Sequence, residues 1–283
     1  MTTMKSALIT GASSGFGLLT AVTLASRGWR VLATMRDLAR RDQLGAAAHA
    51  AGVLDRIEFF ALDVTDNAQI AALAALVTAR TTPLDALVNN AGFAMAGFAD
   101  DVTDAELRRQ FDTNFFGAAA VTRAFLPQFR RQGFGHIVMV SSISGRMGFP
   151  GISSYAASKF ALEGWTETLR LEMKPLGIQV ALVEPGSFET DIWTRGSVIA
   201  ERMRDPASPN APRLAKWRAR IETRTPRANP QIVADGIADL LDNPRPRLRY
   251  VFGRDAKMGL WLRRLLPSGA FEQLFIKGSG LDA

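Results

Sequence analysis

Short apolar runs alternate with longer helical stretches along most of this chain, and this alternation restricts its fold more than any other feature. The apolar runs are nearly continuous, as expected for strands that are buried on both faces under helices. Strands alternating with helices of this length form a parallel sheet with right-handed crossovers, so the sequence predicts a doubly wound α/β fold. We expect strands at 7–10, 30–35, 57–62, 84–89, 136–140, 178–183 and 248–252, and helices at 15–27, 67–79, 104–131, 154–174 and 231–241.

The same rhythm predicts a single domain over residues 1–283, with no linker before about Glu184. The proline-rich, charged segment 187–229 interrupts it and is predicted to be a lid-like excursion. The division that we expect is a cofactor half at about 1–140, a catalytic and substrate half at about 141–253, and a C-terminal extension at 254–283.

The extension contains an amphipathic stretch, 258–266, in which Trp261, Leu262, Leu265 and Leu266 are set against Arg263 and Arg264. Packing in the core or in an oligomer is favoured for it over contact with a membrane surface, which stays open as the alternative.

Composition excludes several classes of protein. No run reaches the roughly 18 to 20 apolar residues that cross a bilayer, and the apolar run at 1–10 is too short for a secretory signal. The chain has no cysteine, so disulfides, thiolate nucleophiles and cysteine zinc sites are absent. We therefore expect a cytoplasmic protein.

The net charge of +7 is unevenly distributed along the chain. Segment 195–264 carries 16 basic and seven acidic side chains, whereas the remainder is slightly acidic. Clustered cations suggest nucleic-acid binding, but the segment lacks interleaved aromatic residues and any duplex-reading motif. A solvated arginine-rich surface is favoured, with no nucleic-acid partner; attraction of an anionic substrate or lipid is the alternative.

A glycine-rich turn follows the first predicted strand: Thr10-Gly11-Ala12-Ser13-Ser14-Gly15-Phe16-Gly17. Its glycines allow a tight turn and a close approach to a pyrophosphate, while the following helix offers N–H groups to the anion. The spacing alone is weak evidence, but its place in the first βα unit predicts a dinucleotide site.

Together with three further motifs, this turn resembles the short-chain dehydrogenase/reductase family. The motifs are Asn89-Asn90-Ala91-Gly92, Ser142 thirteen residues before a tyrosine, and Tyr155-Ala-Ala-Ser-Lys159. The resemblance covers about residues 5–253. It implies a Rossmann-type sheet of seven strands, a nicotinamide dinucleotide, and a homodimer or homotetramer formed through helices 104–131 and 154–174.

Selection between NADP(H) and NAD(H) depends on the end of the second strand, where Met35 is followed by Arg36. A guanidinium pairs well with a 2′-phosphate, so NADP(H) is preferred. Asp37 lies about 20 residues past Gly17, the usual spacing of an NAD-selecting acid, so NAD(H) stays possible. The resemblance further implies cofactor contacts from Asp63 and Val64 at the adenine, from Asn89, Ala91 and Gly92, and from Pro185, Gly186 and Thr190 at the carboxamide.

A hydride transfer at a carbonyl or alcohol carbon needs a partner that moves a proton near neutral pH. Tyr155 and Lys159 are four residues apart on a predicted helix and therefore share a face. A nearby ammonium would favour the phenolate and make the tyrosine a tuned acid/base. The resemblance implies that Lys159 also binds the nicotinamide ribose, that Ser142 binds the substrate oxygen, and that Asn114 holds a water behind the lysine.

Other chemistries find little support. His49 and His136 are the only histidines and lack ligand spacing, so we expect no metal site. No Gly-x-Ser-x-Gly elbow follows a strand, which argues against a serine hydrolase. Each motif residue, taken singly, could be structural, so a catalytically silent dinucleotide-sensing module stays an alternative.

Apolar side chains in the loops after the strands predict a hydrophobic substrate. Segments 34–37, 156–164 and 246–250 resemble the branch of 17-beta-hydroxysteroid and retinol dehydrogenases, which suggests a bulky secondary alcohol or ketone, or an aldehyde. A membrane-surface lipid-modifying reductase is the alternative. The candidate substrate residues are Phe93, Met95, Met147, Phe149, Phe188 and Trp193.

Overall fold

A seven-stranded parallel sheet forms the centre of the molecule, which confirms the fold predicted from the sequence. The computed structural model describes residues 4–193, 197–214, 216, 219 and 227–279. The strands are β1 (Ser6–Ile9), β2 (Arg30–Met35), β3 (Ile57–Ala61), β4 (Ala86–Asn89), β6 (Gly135–Val140), β7 (Ile178–Pro185) and β9 (Arg249–Phe252), with β5 and β8 outside this sheet. Their order is β3-β2-β1-β4-β6-β7-β9, so the direction of winding reverses between β1 and β4.

Helices cover both faces of the sheet. They are α1 (Gly15–Ser26), α2 (Asp42–Ala50), α3 (Asn67–Thr78), α4 (Asp104–Phe111), α5 (Ala118–Gln132), α6 (Ser153–Met173), α7 (Gln231–Asp242), α8 (Arg254–Leu265) and α9 (Ser268–Ser279).

Two separate apolar layers explain why the strands read as continuous apolar runs. In β1, Ala7 and Ile9 belong to the layer under α1, α2 and α7. Leu8, between them, belongs to the opposite layer, with Phe125 of α5 and Leu162 of α6. Because successive side chains of a strand point to opposite faces, a sheet covered on both sides needs apolar residues at every position.

The predicted helix over 104–131 is interrupted, which corrects that expectation. A π-helical segment, Asp112–Gly117, separates α4 from α5. It passes so close to Val64 that a Cβ on Gly117 would lie 2.8 Å from Val64 Cγ2. Such one-turn π segments widen a helix locally and are frequent at functional sites, and this one carries Asn114.

A second, two-stranded parallel sheet was not predicted. It pairs β5 (Ala94–Ala96) with β8 (Ser197–Ile199). The pairing attaches the excursion at 187–229 to the loop after β4, and a small apolar cluster that includes Phe98, Met203 and Leu214 supports it. Strands of three residues carry too little periodicity to be read from sequence. The predicted lid falls partly outside the described residues.

The extension folds into α8 and α9, which pack on the loop after β6. Ala256, Leu260, Phe271 and Phe275 face inwards, against Met147 and Phe149. The outer face of α8 is exposed: Met258, Trp261 and Leu265 are each about 60% accessible. Trp261 and Leu265 therefore do not pack in the core of the chain, since helical spacing turns them away from the inward-facing residues, and their packing in an oligomer stays a prediction.

Candidate active site

A cleft opens at the carboxyl ends of the central strands. Asn90, Val140, Ser141 and Ile192 contribute to its walls. Ten residues predicted for the site also line it: Phe16, Gly92, Phe93, Ser142, Tyr155, Lys159, Pro185, Gly186, Phe188 and Thr190. Open parallel sheets bind ligands at this edge, next to the point where the winding reverses.

The glycine-rich turn borders the cleft through Phe16. Gly11 and Gly15 have φ angles of +68° and +55°, which non-glycine residues rarely adopt. The N–H group of Ala12 donates to the Thr34 carbonyl at 2.8 Å, which fastens the turn to β2. Ser13 and Ser14 complete the turn, and α1 begins at Gly15. A helix amino terminus presents N–H groups that suit a pyrophosphate.

Asn90 holds the turn in place, a role that the sequence did not reveal. Its Nδ2 donates to the carbonyl oxygens of Thr10 at 3.0 Å and of Gly11 at 2.9 Å. In return, Thr10 Oγ1 accepts from the N–H groups of Asn90 and Ala91, each at 3.0 Å. The neighbouring Asn89 turns away from the cleft, and its buried amide donates to Thr122 of α5 at 2.9 Å. Asn89 thus supports packing, whereas Asn90 positions the turn.

Arg36 and Asp37, the two residues that could select between NADP(H) and NAD(H), follow β2 and have different surroundings. Asp37 Oδ1 accepts from the N–H group of Ala39 at 2.9 Å and so caps a short 3-10 helix. Arg36 is exposed beside it, directly after the buried Met35. A carboxylate that caps a helix has lost part of its capacity to bind ribose hydroxyls, while the guanidinium faces solvent.

Asp63 and Val64 follow β3 and do not line the cleft. Asp63 Oδ1 accepts from the N–H group and the hydroxyl of Thr65, at 2.9 Å and 2.7 Å. The buried Val64 packs against Gly117 of the π segment. Both residues shape the turn after β3.

Ser142, Tyr155 and Lys159 come together in the cleft. All three are at least 92% buried. The Ser142 side chain hydrogen-bonds to the Tyr155 hydroxyl and also accepts from the N–H group of Ser144 at 3.1 Å. Lys159 Nζ lies 5.9 Å from the centroid of the Tyr155 ring and donates to the Val140 carbonyl at 2.8 Å.

The protonation of this pair differs from the expectation. Burial raises the pKa of Tyr155 to about 12, although the hydrogen bond with Ser142 opposes the rise. Burial lowers the pKa of Lys159 to about 8, against the attraction of the Glu163 carboxylate. The net pKa of the phenol is thus raised, not lowered, because desolvation disfavours the phenolate, and the effect of the ammonium itself stays a prediction. Near neutral pH the phenol keeps its proton.

Asn114 supports the cleft from behind. It is buried, and its Nδ2 donates to the Phe93 carbonyl at 3.0 Å and to Ser158 Oγ at 3.2 Å. Its Oδ1 accepts from the N–H group of Phe93 at 3.1 Å. These bonds join the π segment, the loop after β4 and α6. Asn114 does not line the cleft itself, and it positions the strand end that does.

Three of the candidate substrate residues, Met95, Met147 and Phe149, do not line the cleft. Met95 is fully buried in β5. Met147 is buried under α8, where a Cβ on Gly259 would lie 2.5 Å from its Cε. Both therefore pack structure, as methionine readily does in irregular gaps. The side chain of Trp193 lies outside the described residues.

Phe149 links Tyr155 to the extension. It packs in one cluster with Ile152 and Tyr155, and in a second with Phe271 and Phe275. Its ring centroid lies 5.4 Å from that of Phe275. The sequence did not point to Phe275, because more than a hundred residues separate it from the motifs and only tertiary packing brings it close.

Two features are not found among the described residues. No group of three or more histidine, aspartate or glutamate side chains there could hold a metal ion. Within the same part of the chain, every helix is too short or too polar to traverse a bilayer.

Comparisons with known proteins agree with this geometry. Residues 5–197 match the family model described as short chain dehydrogenase. The oxidoreductase YusZ of Bacillus subtilis is 44% identical over 96% of this chain and 98% of its own length. Human retinol dehydrogenase 8 is 35% identical over 87% of this chain and 80% of its own.

Two solved structures show the same fold. A short-chain dehydrogenase from Streptomyces avermitilis superposes with a TM-score of 0.81 at 36% identity, covering all of both chains. An actinorhodin polyketide ketoreductase variant with NADPH superposes with a TM-score of 0.71 at 32% identity, covering 84% of this chain and 90% of its own. The chain belongs to the short-chain dehydrogenase/reductase family.

Proposed function

We propose that this oxidoreductase interconverts a hydrophobic ketone or aldehyde with the corresponding alcohol, with NADP(H) as its cofactor. One observation carries the proposal: Ser142, Tyr155 and Lys159 are buried together in a cleft that the glycine-rich turn and the segment after β7 also border. A proton donor, a cation and a dinucleotide-type turn thus share one space.

A Cβ on Gly17 would lie only 2.3 Å from the Gly11 carbonyl oxygen, so glycine there lets the start of α1 pack closely on the turn, with its N–H groups available to a pyrophosphate. The bound nicotinamide would supply hydride to the substrate carbon, or accept it in the reverse direction. Arg36 would hold the 2′-phosphate, Lys159 the ribose, and Thr190 the carboxamide. The polyketide ketoreductase with NADPH supports this choice of cofactor.

Tyr155 would act as the acid in the reduction. Because burial raises the pKa of its phenol to about 12, the proton is present at neutral pH and can pass to the substrate oxygen. Ser142, hydrogen-bonded to the same hydroxyl, would hold that oxygen in place. The ammonium of Lys159 would stabilise the phenolate that remains.

The walls of the cleft favour an apolar substrate. Phe93, Phe188 and Ile192 line it, and the ring of Phe188 meets that of Phe16 edge to face at 5.7 Å. Behind this lining, Phe149 packs on the cluster that contains Tyr155, and Phe275 packs on Phe149. The resemblance to retinol dehydrogenase 8 is consistent with such a substrate.

The proposed function is tested with a panel of aliphatic, aromatic, steroid, retinoid and acyl ketones, assayed by loss of NADPH absorbance. The same panel measures how large a ketone the cleft accepts. We expect turnover of members of this apolar panel, and none of a charged ketone assayed beside it. In Phe275→Ala, the ratio of kcat/KM for bulky over small ketones should rise about tenfold, because Phe149, which packs beside Tyr155, loses its support and can move back from a bulky substrate. The matched control is Phe134→Ala, at the opposite edge of the sheet, where Phe134 is 44% exposed. An equal response of both variants contradicts this role of Phe275.

Replacing Arg36 by alanine tests the choice of cofactor. A charge-assisted bond to phosphate contributes about 1.5 to 3 kcal/mol, so the preference for NADPH over NADH should fall about 10- to 100-fold. Fluorescence titration of both dinucleotides measures it. The control is Arg41→Ala, an equally exposed arginine five residues further on. Tight NADH and weak NADPH binding by the unmodified protein would reject the role of Arg36.

We also propose that the chain acts as a single domain and assembles as a homodimer or homotetramer through the α4–α5 and α6 surfaces. Large apolar side chains are exposed there: Leu107, Phe116, Phe160 and Leu171.

A further inference from the structure

Four charged side chains form an alternating chain behind the cleft. Glu163 Oε2 lies 3.1 Å from a terminal nitrogen of Arg249. The Nε of the same arginine lies 2.8 Å from Glu184 Oε1. Both oxygens of Glu184 lie 3.2 Å from Arg146 NH1. Glu163 and Glu184 are almost fully buried, at 4% and 0% exposure.

The proposed mechanism uses none of these four residues, yet their elements carry most of the site. Glu163 lies on α6, and Glu184 directly precedes Pro185 at the end of β7. Arg146 follows the turn that begins at Ser142. Arg249 is the first residue of β9, and its guanidinium lies between the carboxylates of Glu163 and Glu184. Buried ion pairs are costly to desolvate, so their retention here suggests a positioning role.

Glu163 is the member nearest to the reacting groups. It follows Lys159 by one helical turn and therefore shares its face of α6. The contact with the Ser142 turn is close, since a Cβ on Gly145 would lie 2.9 Å from both Glu163 Cγ and Ser141 Oγ, and 3.0 Å from the Lys159 carbonyl oxygen. Glycine at position 145 thus leaves room for the Glu163 side chain against this turn.

We propose that Glu163 is a positioning residue whose buried carboxylate keeps Lys159 protonated, while its ion pair with Arg249 ties α6 to the end strand of the sheet. Only the expected effect on ketone reduction rests on the proposed function; the effect on the protonation of Lys159 does not. The charged and polar groups around Glu163 and Lys159 are Arg249 from β9, Glu184 from β7, Arg146 and Ser141 from the loop after β6, and Tyr155 and Glu167 from α6 itself.

Glu163 is an anion in the pH range in which Lys159 begins to lose its proton. Burial, reinforced by the Glu184 carboxylate, raises the pKa of Glu163 to about 7. Burial lowers the pKa of Lys159 to about 8, and Glu163 opposes that decrease. Above pH 7, where Lys159 begins to lose its proton, Glu163 is therefore mainly an anion. Removing this anion should let Lys159 lose its proton at lower pH.

The experiment titrates Lys159 directly by NMR in protein labelled with [13Cε]lysine. The chain has six lysines, and Lys159→Arg assigns the signal. In Glu163→Gln we expect the midpoint of Lys159 to fall by about 0.5 to 1 pH unit. The alkaline limb of kcat/KM for ketone reduction should move down by the same amount. Glu163→Asp, which keeps the charge, should stay within about 0.3 unit of the unmodified protein.

Glu167→Gln is the matched control, because Glu167 also pairs with Arg249 but is half-exposed and lies two turns from Lys159. It should leave the Lys159 midpoint unchanged.

Equal shifts in both glutamine variants, or none in Glu163→Gln, would overturn the proposal. A shifted NMR midpoint in a protein that turns over no ketone would instead reject the proposed function and leave the role of Glu163 standing. Circular dichroism of each variant excludes unfolding as the cause, and Glu163→Asp tests the charge should Glu163→Gln not fold.

Discussion

Replacing Tyr155 by phenylalanine is expected to lower kcat for ketone reduction about a thousandfold, while NADPH binding stays within about twofold. The phenol is the proposed proton donor, and positioned acids contribute about 10²- to 10⁴-fold to such steps. A thousandfold loss corresponds to about 4 kcal/mol of transition-state stabilisation. Stopped-flow reduction of the best ketone, combined with NADPH fluorescence titration, measures both quantities.

Tyr250 provides a matched control, since the chain has only two tyrosines. Its hydroxyl accepts from the N–H group of Arg247 at 3.1 Å, in the outer strand β9. Tyr250→Phe removes the same atom and should leave kcat nearly unchanged. A Tyr155→Phe variant that keeps more than a tenth of the wild-type kcat would show that the proton comes from another group.

Alanine at position 17 is expected to lower the free energy of unfolding by about 3 kcal/mol and NADPH affinity more than a hundredfold. The new methyl group would lie 2.3 Å from the Gly11 carbonyl oxygen and 2.5 Å from Asn90 Nδ2. It would thus separate the amide that clamps the turn from its acceptors. Overpacking costs about 1 to 3 kcal/mol, and each lost hydrogen bond adds about 1 kcal/mol. Urea unfolding and cofactor titration measure the two effects.

Gly45→Ala is the control for this substitution. Gly45 lies within α2, and a Cβ there would meet no atom within 4 Å. Because glycine weakens a helix interior, this variant should be more stable by about 0.5 to 1 kcal/mol and bind NADPH normally. If Gly17→Ala matched the wild type in both measurements, the close approach of α1 to the turn would have no role in binding.

Much of the fold follows from local patterns. The order of the main strands and helices and their approximate positions could be predicted, because each apolar run and each amphipathic stretch carries its own periodicity. The spacing of Tyr155 and Lys159 predicted that they share a helical face, since that depends only on α6 being a helix. The π segment and the β5–β8 pair escaped prediction, because neither is long enough to show a period.

What the sequence by itself determined is the order of the elements and the set of residues at the carboxyl edge of the sheet, because periodicity and turn chemistry are local properties. The tertiary structure decided which neighbours those residues have. It made Asn90 rather than Asn89 the clamp of the turn, buried Met95 and Met147, and brought Phe275 against Phe149. It also raised the pKa of the phenol that spacing alone had suggested would be lowered, since desolvation depends on every element packed around Tyr155.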